Sequence, residues 1–167
     1  MSNQNLSHQK QNKLDVLYLR MAKVWSENSH CKRSQVGCLI VKDRQIISDG
    51  YNGTPSGFPN ECEDCDNNTL PTVLHAEANA ITKIAKSTNS AEGATLYVTL
   101  SPCFDCAKLI IQAGIKRIVY SETYRNTDSF KLFEEAGIEI KKVNPLVEIF
   151  IIRNNYQRIL YSNIQLC

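Results

Sequence analysis

The sequence predicts an α/β fold, a mixed sheet of about five strands with helices packed on its faces. Three observations predict it. Two short β-branched runs, 36–42 and 44–53, meet at a tight turn and read as a hairpin. After them, strand-like runs alternate with amphipathic segments. A chain of 167 residues suits one domain whose core is large enough to fold unaided.

In chain order, residues 1–13 are a polar segment and the candidate for disorder. Apolar residues then recur at helical spacing over 14–25: Leu14, Leu17, Met21, Val24 and Trp25. The hairpin follows, with Lys42-Asp43 as its expected turn. Residues 54–71 hold three prolines and many acidic or amide side chains, so they form a long loop. Loops of that length are often functional. The alanine-rich stretch 74–86 is a helix, 95–100 a strand, and 103–114 a helix ended by Gly114. A strand at 115–120, a helix at 128–136 and a strand at 138–143 complete the pattern. The tail from Pro145 reads as strand, helix or both. The domain therefore spans 14–143, with 144–167 as its C-terminal extension.

Nineteen Lys and Arg against 17 Asp and Glu leave a formal charge of +2. The charges are interspersed, with only short basic clusters such as Lys32-Arg33 and Lys141-Lys142. A nucleic-acid binder usually shows a basic stripe, because phosphate contacts supply most of its affinity. The balance therefore favours a small-molecule substrate. No apolar run approaches the roughly 20 residues of a membrane helix, and the polar start has no secretory apolar segment. The expected location is the cytoplasm. Seven cysteines in such a setting point to metal binding before disulfides.

Chemistry concentrates in His75-Ala76-Glu77 and Pro102-Cys103-Phe104-Asp105-Cys106. Cysteines at i and i+3 on a helix start turn both sulfurs to one side. The partial positive charge of a helix N-terminus also favours thiolate. His75 likewise opens a helix, so one imidazole and two thiolates can meet on a single zinc ion. Three protein ligands leave the fourth tetrahedral position to water, as in catalytic zinc sites. Zinc brings the pKa of that water toward neutrality, and Glu77 is the candidate to move its proton to a departing amine. H-x-E with P-C-x-x-C is the signature of zinc nucleobase deaminases, in which the Glu is not a ligand. A four-cysteine knot of Cys62, Cys65, Cys103 and Cys106 is disfavoured, because its middle segment exceeds the usual roughly 15–20 residues.

The chain resembles the deoxycytidylate deaminases of the cytidine deaminase superfamily over about 14–143. CKRSQVGCLIV, ISDGYNGTPSGFPNEC, LHAEANAI, GATLYVTLSPCFDCAKLI and GIKRIVYSETYR carry the likeness. The resemblance implies hydrolysis of dCMP to dUMP and ammonia, a three-layer α/β/α fold and a homo-oligomer. It implies zinc on His75, Cys103 and Cys106, with Glu77 as proton shuttle. The backbone at Ala76 and Cys103 would contact the base and the zinc-bound hydroxide, with Ser101 alongside, and Asn52 the sugar. Tyr124 and Arg125 lie where the family closes over the nucleotide and its phosphate. Regulation by dCTP and dTTP would involve Gly50, Tyr51, Asn52 and Gly53 with Lys32 and Arg33. A second, structural zinc would draw on Cys31, Cys62 and Cys65, although no histidine in that loop offers a fourth ligand.

Related chemistries compete. A tRNA adenosine deaminase would be more basic and lack GYNGTPSG. A free cytidine deaminase needs no phosphate contact, and an editing deaminase needs an aromatic, basic groove. A non-enzymatic zinc module would be expected to lose Glu77, which is present.

Overall fold

The computed structural model describes residues 3–145. Helix α1 (Asn3–Ser26) precedes the hairpin β1 (Gly37–Lys42) and β2 (Gln45–Tyr51). Then follow α2 (Ala76–Ile84), β3 (Thr95–Leu100), α3 (Phe104–Gln112), β4 (Arg117–Glu122), α4 (Asp128–Glu135) and β5 (Glu139–Lys142). The five strands form one sheet in the order β2-β1-β3-β4-β5. Strand β1 is antiparallel to β2 and β3, while β3, β4 and β5 run parallel. The expected mixed sheet is what forms.

Alternating side chains divide the core into two layers. Cys38 and Ile40 of β1, Leu96 and Val98 of β3, and Ile118 and Tyr120 of β4 pack with Ala76, Ala80, Ala107, Ile110 and Phe133 of α2, α3 and α4. Leu39, Val41, Tyr97 and Val119 point the other way, against Val16, Leu19 and Ala22 of α1. Burial on both faces explains why the central strands read as nearly continuous apolar runs rather than alternating ones.

Three boundaries differ from the expectation. Helix α1 begins at Asn3, so the polar residues 3–13 are helical rather than disordered. The polarity of Gln11 and Asn12 serves a buried ionic cluster. Gln11 Nε2 donates to Asp15 (2.9 Å), and Lys141 Nζ donates to Asn12 Oδ1 (2.7 Å). The hairpin turn is Asp43-Arg44, one residue later than Lys42-Asp43, because Lys42 pairs with Gln45. Asp43 and Arg44 both take positive φ (51° and 64°), the geometry whose twist suits a two-residue hairpin. Strand β4 starts at Arg117 rather than at 115. Gly114, at φ +77°, ends α3, and the Ile115 amide still donates to the Ile110 carbonyl (3.3 Å). The tail beyond Pro145, read as strand, helix or both, lies outside the described residues.

Candidate metal centre and active-site pocket

Two helix starts make the centre. His75 and Cys103 occupy the residues just before α2 and α3, both with extended backbone and neither capping its helix with its side chain. Residues in that position commonly cap the helix; here the side chains turn toward each other. His75 Nδ1 lies 3.3 Å from Cys103 Sγ and 3.4 Å from Cys106 Sγ. The three ligand atoms all fall within 4.8 Å of one another, the only such group among the described residues.

Electrostatics suit a cation. Hydrogen bonds from the Cys106 thiol and from His75 hold the Cys103 sulfur down to a pKa of about 4, against the pull of burial. The Cys106 thiol is pushed up by its bond to Cys103, by burial and by Glu77. The pair thus shares one proton that a metal ion would displace. His75 is raised, chiefly through Cys103. This soft, partly anionic sulfur–nitrogen donor set fits zinc.

Glu77 lies two residues into the same helix turn and is 4% exposed. Burial lifts its carboxyl to about 7, while its own backbone N–H, His75 and the Cys106 thiol act in the opposite direction. It shares a pocket of about 100 Å³ with His75, Ala76, Ser101, Cys103 and Tyr124. Ser101 Oγ accepts from the Tyr124 amide (2.8 Å), fastening the segment after β4 to the turn before α3. Ser129 Oγ donates to the Pro102 carbonyl (2.8 Å) and fixes the same turn from α4.

The GYNG segment supports α2. Gly53 and Leu74 exchange backbone bonds (3.1 and 2.9 Å), and Asn79 Nδ2 donates to the Tyr51 carbonyl (2.9 Å). A Cβ on Gly50 would run into the Ala76 carbonyl and the Ala80 amide nitrogen. Gly50→Ala is therefore expected to push α2 off the sheet and displace His75 and Glu77. Overpacking should cost about 1–3 kcal/mol, read as a lower denaturation midpoint, together with weaker zinc retention. Unchanged stability and zinc content would refute the close fit.

Other nominated residues divide between the pocket wall and the surface. Asn52 lines the pocket, but its amide is engaged with backbone: Oδ1 accepts from Val36 N and Nδ2 donates to the Ser34 carbonyl (both 2.8 Å). Arg125 is exposed, its guanidinium 5.6 Å from the Tyr124 ring centre, and it does not line the pocket. Arg33, nominated for an effector, lines both this pocket and the adjoining cleft, its Nη1 donating to the Asn67 carbonyl (3.3 Å). Glu63, not singled out in the sequence, accepts from the backbone amides of Lys32 (3.0 Å) and Arg33 (3.1 Å) and holds that segment in place. No local spacing marks Glu63, because it meets its partners across the long loop. Cys31, Cys62 and Cys65 do not gather as a second zinc site. Cys31 and Cys62 form a disulfide, contrary to the expectation of free thiols, and Cys65 is free and exposed. Sulfurs joined to each other carry no thiolate for a metal.

Fold and donor set together define a single-zinc centre of the catalytic kind, three protein ligands at the edge of a pocket on an α/β/α scaffold. The sequence profile of the cytidine and deoxycytidylate deaminase zinc-binding region matches residues 12–122. The chain belongs to that family. It is similar to the deoxycytidylate deaminase of Enterobacteria phage T4, 37% identical over 168 residues, covering 75% of this chain and 87% of the phage protein. The deoxycytidylate deaminase of Saccharomyces cerevisiae is 36% identical over 138 residues, 77% of this chain, and the match spans only 44% of the yeast protein. Among solved structures, the dCMP deaminase of cyanophage S-TIM5 in complex with dCMP and dUMP superposes with a TM-score of 0.74 at 42% identity. That superposition covers 86% of this chain and 99% of the phage chain.

Proposed function

We propose that the chain hydrolyses dCMP to dUMP and ammonia, supplying thymidylate synthesis. The observation that carries the reading is the buried Glu77 carboxylate on the wall of the pocket that His75, Cys103 and Cys106 also line or adjoin. Held by those three side chains, zinc would supply the Lewis acidity that makes water a nucleophile near neutral pH. Burial raises the Glu77 carboxyl above the usual carboxylate range, which suits a group that accepts a proton from the attacking water and releases it to the departing amine. Ala76 opens α2, whose first-turn N–H groups have no intrahelical acceptor, so its backbone can orient the base. The pocket of about 100 Å³ beside these residues would take the base.

Specificity for a nucleotide follows from charge at the rim. Arg33 lines the pocket, and its backbone is clamped by Glu63, so we assign it, with Tyr124, to the 5′-phosphate. An adjoining cleft of about 570 Å³, lined by Lys23, His30 and Lys32 among others, supports the binding of dCTP or dTTP as effectors. A homo-oligomer and a cytoplasmic location belong to the same reading; the mass in solution tests the first. No helix among the described residues is long and apolar enough to cross a membrane.

The test is ammonia release from dCMP, CMP, deoxycytidine, dCTP and a short cytosine-containing single strand, with and without added dCTP or dTTP. Turnover of dCMP above all others is expected. Arg33→Gln should raise KM for dCMP by about 10–100-fold, the loss of a charge-assisted bond of about 1.5–3 kcal/mol, while leaving deoxycytidine unaffected. Turnover of the strand alone would overturn the assignment.

A further inference from the structure

Helix α1 has two apolar faces, and the sheet covers only one. Val16, Leu19 and Ala22 are buried inward, whereas Leu17, Met21 and Val24 are exposed at 39%, 47% and 63%. The spacing i, i+4, i+7 makes them one stripe, continued by the exposed Trp25 and Ile46. The stripe walls a groove of about 1060 Å³. A contiguous apolar surface of this kind marks an interaction site.

The far rim of the groove includes Glu122, Asn144 and Pro145. Pro145 is also the last described residue, so the described chain ends at the rim of the groove. That chain continues LVEIFIIRNNYQRILY over 146–161. Ile149, Ile152, Tyr156 and Ile159 recur at the spacing of one helix face. We propose that residues 146–161 dock in this groove and cover the outer stripe of α1.

Three arguments favour this occupant over a second copy of the chain. The segment is tethered at the rim, so docking is intramolecular and avoids the translational and rotational cost of association. Its length suffices: 16 residues reach roughly 24 Å as a helix and about twice that extended, against about 10 Å along α1 from Leu17 to Val24. Charges also match, with Arg20 and Lys23 on the rim for Glu148, and Glu122 for Arg153 or Arg158.

Limited trypsin digestion of the full chain, read by mass spectrometry at Arg153 and Arg158, tests the docking. The wild type should be protected at both sites, and the protection should not change when the protein is diluted. Leu17→Gln with Val24→Gln, both pointing away from the sheet, should speed cleavage there by at least about tenfold, the effect of weakening docking by about 1.4 kcal/mol. Zinc content and melting should stay near wild type and show that the variant folds. Equal cleavage rates in both proteins would overturn the proposal. Protection that disappears on dilution would also overturn it and assign the groove to a second copy.

Discussion

Glu77→Gln is expected to keep zinc at the wild-type level and to lower the kcat for dCMP by roughly 10²–10⁴-fold, the usual contribution of a positioned acid–base group. The side chain is buried, so the substituted amide fills the same volume. The metal-binding group is His75, Cys103 and Cys106, none of which changes. What disappears is the ability to carry a proton. Metal analysis of the purified variant alongside ammonia release separates the two roles. Full activity would remove Glu77 from the chemistry, and lost zinc would make it a ligand.

Asp15→Asn should destabilise the fold by about 3–5 kcal/mol, the usual cost of removing one partner from a buried ion pair. Asp15 is fully buried on the inner face of α1. Arg117 grips both its carboxylate oxygens (2.8 Å each), Lys141 donates at 3.1 Å, and the Tyr97 hydroxyl donates at 3.0 Å. The amide leaves two cations facing each other, with Glu139 still on Arg117 at 2.9 Å. A lower denaturant midpoint at unchanged slope is the expected readout. Burial pushes the Asp15 carboxyl up, but bonds from Arg117, Gln11 and Lys141 outweigh it and hold it below its ordinary value of 3.8. A folded-state pKa below the unfolded one gives stability that is present above 3.8 and lost as pH falls through the folded value. Wild-type stability should therefore fall in that acid range, and the Asn variant should lack that component. Parallel titrations that coincide would refute the ionic account. The cluster sits at the start of β4, while Cys103 follows the end of the parallel neighbour β3. Catalysis per folded molecule should thus be preserved.

Much of this arrangement is legible in the sequence because local rules and tertiary context agree. Residues 95–100 are β3 to the residue, since a run buried on both faces leaves no competing period. His75 and the Cys103/Cys106 pair stand at helix starts, where short-range spacing alone aims the side chains. Features that depend on distant partners are not legible. Gln11 and Asn12 read as a polar, disordered start because their partners, Asp15 in the core and Lys141 in β5, are revealed only by packing. Arg33 and Arg125 are equally basic in the sequence. Arg33, whose backbone Glu63 clamps across the loop, lines the pocket, whereas Arg125, beside the Tyr124 ring, does not. Cys31 and Cys62, separated by 31 residues, meet because the long loop folds back onto the segment before β1. Nothing in their individual spacings announces it.

The most direct test is conversion of dCMP to dUMP by protein stripped of metal with a chelator and then titrated with zinc. Activity should vanish on stripping and return in full at about one zinc per chain, as for a single three-ligand site. Undiminished deamination by the zinc-free protein, or unchanged dCMP with zinc restored, would contradict the account.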